Sequence, residues 1–266
     1  MIEPFQTRFR QMIRRGASSQ DIHDVASSHG YASVKENLSD AYIDREVARV
    51  DAHRRSLLPL LEHFVGPVGT ILDIGCNTGG TTVALAMSAP LAAREVIGID
   101  PNASALEAAV LRRDGHALDA TRVRFEAIVA GQPLPFADAS FDLVTLVSVL
   151  EFVSTPTARA ALIREMERVT RPGGFIYVST PSPWRLRELH SRRILGHLRR
   201  RAGYPWSSSA RFIRRAFASS VALPTERFTL AAVLGRRGLG RLGPRLLPAR
   251  LLAGWLPWQK HLMRRR

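Results

Sequence analysis

Between Thr70 and Thr180 the chain alternates short apolar runs with helical segments, and this alternation restricts the fold more than any other feature of its 266 residues. Thr70–Ile74, Glu95–Ile99, Val123–Val129, Phe141–Val147 and Phe175–Thr180 read as strands. Thr81–Met87, Ala103–Arg113 and the stretch from Pro156 to Val169 read as helices. Asn102 is placed to cap the second helix, Pro156 suits the first turn of the third, and Arg171-Pro172-Gly173-Gly174 should stop it. Continuously apolar strands separated by helices belong to a parallel sheet covered on both faces. Upstream, residues 1–65 read as helical with breaks around Gly16 and Gly30. Ile43, Val47, Val50, Leu57, Leu58 and Leu61 repeat near the 3.6-residue period, until Gly66-Pro67 ends the pattern. The expected organisation is a helical segment over 1–65, an α/β core over 66–181, and a C-terminal part over 182–266 that completes the sheet.

Charge separates the last third from the rest. Residues 184–266 hold 20 Arg or Lys against the two acids Glu188 and Glu226, a balance of +18. The preceding residues hold 18 basic and 21 acidic side chains, a balance of −3. Such a field draws anionic partners, whether nucleic acid, acidic lipid headgroups or phosphorylated substrates, without choosing among them. A single cysteine, Cys76, excludes an intramolecular disulfide and any cysteine-rich zinc site, and it fits a reducing cytoplasm. The eight histidines lack metal-ligand spacing; His190 and His197 read as surface residues of a basic helix, and no metal is expected. The first residues carry basic side chains with no apolar stretch behind them, which does not read as a secretory signal. No apolar run approaches the ~18 residues that would span a bilayer.

The segment Ile71-Leu-Asp-Ile-Gly-Cys-Asn-Thr-Gly-Gly80 places an acid and glycines at the end of the first strand. In an open parallel sheet ligands bind outside the carboxyl ends of the strands, near the switch point. Glycine permits a tight turn there and close approach of the backbone. Asp73 is placed either to orient the loop or to meet an ammonium group. The second strand ends in Asp100, 25 residues after Gly75, where a carboxylate can accept from both hydroxyls of a ribose. Residues 75–80 fail the G-x-G-x-x-G fingerprint of nicotinamide cofactors. The literal match at Gly238–Gly243 is followed at once by Pro244 and by no suitable acid.

ILDIGCNTGG resembles the first motif of class I S-adenosylmethionine-dependent methyltransferases. VIGID (Val96–Asp100), LPFADASFDLV (Leu134–Val144) and ERVTRPGGFIYVSTP (Glu167–Pro181) resemble three further segments of that family, in its order. The likeness is greatest to the methyltransferase type 11 and quinone-biosynthesis subgroup. It implies a Rossmann-like α/β fold with a mostly parallel sheet, an N-terminal helical lid and a basic C-terminal extension. It also implies S-adenosylmethionine as cofactor, held by Asp73, Gly75, Cys76, Asn77, Gly79, Asp100, Pro101 and Ser148. Gly75, Asn77 and Gly79 would wrap the methionine part, Asp73 would sit beside its amino group, Asp100 would take the ribose, and Ser148 would face the sulfonium. Asn77 stands where the family has its middle glycine, a substitution that Asn's tolerance of left-handed angles allows. Ala130 stands near the usual adenine-binding acid, leaving Gln132 or a backbone group for that contact.

A sulfonium methyl is already activated, so the protein's task is to align a nucleophile and exclude water. The sequence names no catalytic base: Glu151 lies near the right strand end, and Phe152 stands where relatives often have histidine. Cys76 follows Gly75 rather than a proline, and the fourth strand ends Val-Ser-Val-Leu-Glu-Phe. Both features argue against base-modifying DNA methyltransferases. The expected acceptor is a small molecule, with an anionic, phosphorylated, sugar- or lipid-linked one as the finer expectation. Arg185, Arg187, Arg192, Arg193, Arg199, Arg200 and Arg201 could bind such a group or simply form a solvated face. Residues 1–65, with Tyr31 and Tyr42, would close over the site. Leu247, Leu251, Trp255, Trp258 and Leu262 would form one stripe of a basic C-terminal helix. That stripe could lie on an anionic membrane surface at the inner face of the membrane of a cytoplasmic protein, or pack on the sheet. The alternative reading is an RNA-directed methyltransferase or nucleic-acid-binding protein, supported by net charge alone.

Overall fold

The structure is a computed structural model that describes residues 40–153, 155–181, 210–226, 228–229 and 258–266, with the isolated positions 7 and 11. Helices α1 (Asp40–Val47), α2 (Arg49–Ser56) and α3 (Leu58–Phe64) precede strand β1 (Thr70–Ile74). Helix α4 (Gly80–Ala86), β2 (Glu95–Asp100), α5 (Ala103–Gly115), β3 (Val123–Ala127) and β4 (Phe141–Val147) follow. A 3₁₀ turn (Leu150–Phe152), α6 (Pro156–Val169) and β5 (Thr170–Pro181) complete the central part. Further on come α7 (Ala210–Ala216), β6 (Ser220–Ala222) and β7 (Trp258–Arg265).

The seven strands lie in the order β3-β2-β1-β4-β5-β7-β6. β1 to β5 run parallel, and β7 is antiparallel to both of its neighbours. From β1 the chain steps outward to β2 and β3, then returns to the other side of β1 for β4. The switch point therefore falls between β1 and β4. The strand pleat sorts side chains to two cores. Leu72, Ile74, Val144, Leu146, Ile176 and Val178 pack with Ile163 and Met166 of α6 and with Ile213 and Phe217. Ile71, Val96, Leu143, Tyr177 and Leu262 pack instead with Leu58, Leu60 and Leu61 of α3 and Leu85 of α4. Each such Leu or Ile contributes about 1.5–3 kcal/mol through burial, which is why both faces of the sheet need helices.

Asn102 caps as expected, its side chain accepting from the Ala105 amide, and Pro156 opens α6 as expected, where Thr155 also accepts from the amide of Ala158. Two expectations change. Arg171–Gly174 does follow the helix, but it lies inside the long strand β5, whose start pairs Thr170 with Phe141 across a register shift. Trp258 and Leu262, placed by their spacing on a helical stripe, belong to β7. There Leu262 is paired with Tyr177 and Trp258 with Pro181, so sheet completion overrides the helical pattern. Leu247, Leu251, Trp255, Tyr31 and the seven arginines of 185–201 lie outside the described residues. No helix among the described residues is long and apolar enough to cross a membrane.

Candidate functional site

The carboxyl ends of β1, β2 and β4 meet at the switch point, and the loop Gly75–Gly79 fills the space between β1 and α4. Hydrogen bonds to the end of β2 shape this loop. The amides of Gly75 and Cys76 donate to the Ile99 carbonyl at 2.8 and 3.0 Å, and the Asn77 amide donates to Asp100 Oδ2 at 2.8 Å. Gly75 (φ +70°), Asn77 (φ +49°) and Gly79 (φ +75°) all adopt left-handed backbone. Asn77 therefore performs the conformational work of a glycine, and its own Oδ1 accepts from the Thr78 amide at 2.7 Å.

Protein packing requires the two glycines as much as backbone angle does. A Cβ on Gly75 would fall 2.3 Å from Val149 Cγ2, and one on Gly79 would fall 2.9 Å from both Ala109 and Phe125. The connection leaving β4 thus presses directly on the loop leaving β1.

The two acids differ in kind. Asp73 is 1% exposed, and each of its oxygens takes one hydroxyl: Thr82 donates to Oδ2 and Thr145 to Oδ1, both at 2.7 Å. Burial pushes its carboxyl up to about 6, against those two bonds. Through these bonds it ties β1 to α4 and β4. Asp100 is 7% exposed and accepts one amide per oxygen, from Asn77 and from Asn102 at 2.9 Å. Burial raises its carboxyl too, opposed by those amides. A carboxylate has about four acceptor positions, so Asp100 keeps capacity for two more donors. That donor demand fits the paired hydroxyls of an adenosine ribose.

Cys76 is buried, and burial, reinforced by the nearby Asp73 and Asp100 carboxylates, pushes its thiol well up. It remains a protonated packing group rather than a nucleophile. Pro101 is exposed beyond Asp100. Ser148, left-handed at φ +59°, donates its amide to the Ser179 carbonyl and so joins the ends of β4 and β5. Ala130 and Gln132 are both exposed beyond β3. Glu151 sits in the 3₁₀ turn, 1% exposed, with Oε2 accepting from Thr180 Oγ1 at 3.3 Å. Its Oε1 has no partner among the described residues, and burial pushes the group up to about 7. No cluster of His, Cys, Asp or Glu that could hold a metal ion occurs among the described residues.

Three residues around the loop escaped the sequence reading: Thr78, Glu46 and Arg112. Thr78 Oγ1 donates to Glu46 Oε2 at 2.9 Å, and Arg112 Nε donates to the Thr78 carbonyl at 2.7 Å. A signal for Arg112 exists in the sequence, since it extends the buried face Ala105, Ala108 and Ala109 of α5 by one turn. A charge on an apolar stripe asks for a partner.

Residues 72–178 match the family described as Methyltransferase domain. A demethylmenaquinone methyltransferase of Mycobacterium marinum is 32% identical over 64% of this chain and 65% of its own length. A ubiquinone biosynthesis O-methyltransferase of Pseudomonas paraeruginosa is 30% identical over 57% of this chain and 62% of its own length. The chain spans less than two thirds of the length of these relatives. Among solved structures, an S-adenosylmethionine dependent methyltransferase from Mesorhizobium loti superposes with a TM-score of 0.56 at 19% identity, covering 81% of this chain and all of that one. The [4+2]-cyclase SpnF superposes at 0.52 with 22% identity, covering 81% of each chain. Two differently named activities share this fold, so fold alone does not choose the reaction. The sequence match, the 3-2-1-4-5-7-6 sheet and the loop geometry coincide: residues 72–178 match the Methyltransferase domain family, and the fold around them is shared with a solved S-adenosylmethionine dependent methyltransferase.

Proposed function

We propose that the protein transfers a methyl group from S-adenosylmethionine to an O, N or C nucleophile of a small molecule. The observation that carries this reading is Asp100, a buried carboxylate with spare acceptor capacity bonded to the left-handed loop. In this reading Asp100 takes the ribose hydroxyls, with Pro101 beside it. Gly75, Cys76, Asn77 and Gly79 wrap the methionine end, and Ser148 borders the sulfonium side. Asp73 keeps the loop in place through Thr82 and Thr145. When bound, the cofactor supplies a methyl already activated by its sulfonium, leaving a neutral thioether. What remains for the protein is alignment, which contributes most when the aligning groups are themselves held rigidly.

The relatives named for demethylmenaquinone methylation and ubiquinone biosynthesis support a small molecule as acceptor. The +18 balance of residues 184–266 supports an anionic one, with peripheral contact to acidic lipid as a further consequence.

Calorimetric titration of S-adenosylhomocysteine into the wild type and Asp100→Ala tests the assignment. A single charge-assisted bond is worth about 1.5–3 kcal/mol, so the variant should bind at least about 10- to 100-fold more weakly. Equal affinity in both proteins would remove Asp100 from the site, and no binding to the folded wild type would refute the methyltransferase reading.

A further inference from the structure

We propose that Glu46, Thr78 and Arg112 form a buried clamp through which the N-terminal helices set the shape of the cofactor loop, making them positioning residues for the amino-acid end of the cofactor. The inference rests on the methyltransferase reading above and assigns a role to residues outside the loop itself.

Thr78 lies between left-handed Asn77 and left-handed Gly79. A segment with such backbone persists only when its surroundings hold it. The grip on Thr78 is threefold. Its hydroxyl donates to Glu46 Oε2 at 2.9 Å and accepts from Arg112 Nη2 at 3.1 Å, while its carbonyl accepts from Arg112 Nε at 2.7 Å. Only a side-chain hydroxyl can both give and receive at that point. Glu46 and Arg112 are 2% and 0% exposed, so water is poorly placed to replace either bond.

The clamp joins distant parts of the chain. Glu46 comes from α1, Thr78 from the loop, and Arg112 from the far end of α5. Helix α2 adds to it. Arg49 pairs with Glu46, and the Arg49 stem occupies the space a Cβ on Gly80 would need, 2.7 Å away. One turn further on, His53 Nε2 lies 3.3 Å from Thr81 Oγ1. Burial first, then the nearby Arg49, Arg112 and Lys260, hold that imidazole down at about 3, so it stays neutral.

Stability alone is a weak reason for such an arrangement. An apolar replacement of a buried ion pair is often as stable, whereas fixing one geometry against others is the best-attested use of such pairs. Here the geometry fixed is that of the loop. Asp100 is held from outside the loop by the Asn102 amide as well as from within it by that of Asn77, so disturbing the clamp should affect the amino-acid end of the cofactor more than the ribose end.

Two ligands separate the ends. S-adenosylhomocysteine has the amino-acid part, and 5′-methylthioadenosine lacks it. Calorimetry with both, on the wild type, Thr78→Val, Thr78→Ser and Glu46→Gln, tests the proposal. Thr78→Val should weaken S-adenosylhomocysteine about tenfold or more, while leaving 5′-methylthioadenosine within about threefold. Thr78→Ser should restore the lost affinity. Equal weakening of both ligands, or of neither, would overturn the clamp while leaving the methyltransferase reading intact. If the wild type binds neither ligand, the cofactor reading itself fails and the clamp falls with it. Should Thr78→Val not fold, Glu46→Gln decides by the same comparison: selective loss of S-adenosylhomocysteine supports the clamp, and an unselective change or none overturns it.

Discussion

Substituting Gly75 by Ala probes the contact between the two halves of the switch point, and its size can be worked out in two parts. Left-handed backbone at φ +70° costs an alanine about 1–2 kcal/mol relative to glycine. The new Cβ would also lie 2.3 Å from Val149 Cγ2 and 3.2 Å from Cγ1, so the two γ-methyls are the wall it meets. Overpacking of this kind costs about 1–3 kcal/mol. The total of about 2–5 kcal/mol is a large share of the ~5–15 kcal/mol that holds a domain folded. The two parts separate in a double-mutant cycle with Val149→Ala, which removes the wall but not the backbone angle. In that background Gly75→Ala should cost only the backbone part, giving a coupling of about 1–3 kcal/mol. Urea unfolding followed by circular dichroism measures all four corners. A cost for Gly75→Ala that is the same with and without the Val149 side chain would refute the argument that the β4 connection dictates glycine in the loop.

Glu151 should make the protein less stable as pH rises. Its carboxyl is near 7 when folded against about 4.5 when unfolded, so the protonated form stabilises fully below pH ~4.5, and that contribution is lost as pH climbs through 7. The loss is of the order of 3 kcal/mol. Asp73, raised to about 6, adds a loss of the same sign. Glu151→Gln should therefore flatten part of the slope between pH 5 and 8 in urea unfolding, and an unchanged slope would count against the burial argument. Cys76, the single cysteine, should react with a thiol-specific chromogenic disulfide reagent far more slowly in native protein than in urea at pH 8, because its thiol is buried and held protonated. Rapid native reaction would show that the loop opens. The affinity loss expected for Asp100→Ala completes the set, and calorimetry reads it directly.

Local chemistry made part of this molecule legible. β4 and α6 have the bounds their patterns imply, because Phe141–Val147 is mostly apolar, interrupted only by Asp142 and Thr145, and Pro156 marks a helix start. The left-handed positions 75, 77 and 79 were legible for the same reason: Gly and Asn are the residues that adopt such angles at low cost. What stayed hidden depends on distant pairing. β7 carries Leu262 and Met263 side by side and shows no two-residue alternation, because both faces of the sheet are covered there. Its partners Tyr177 and Met263's opposite, Ile176, settle its conformation. β6 is three residues long and gave no signal. At the site, the acid of Asp100 could be recognised from its strand end, but the meeting of residues 46, 78 and 112 exists only once two helices have packed against the loop.

The position of β7 has a consequence for the order in which the chain is made. β5 pairs with β7 along its length from Phe175 to Pro181, so one side of β5 has no strand partner until residues 258–265 have left the ribosome. At about 5–20 residues per second, translating the stretch between Pro181 and Trp258 takes roughly 4–15 s. Through that interval the β5 edge lacks its β7 partner, and an unpaired strand edge is a template for pairing with other chains. When β7 takes the edge, Arg265 reaches the carbonyl of Thr170 and Lys260 reaches the carbonyl of Ser56 at the end of α2. Yield of soluble protein should accordingly depend on chaperone supply and growth temperature more than on the strength of either hydrophobic core.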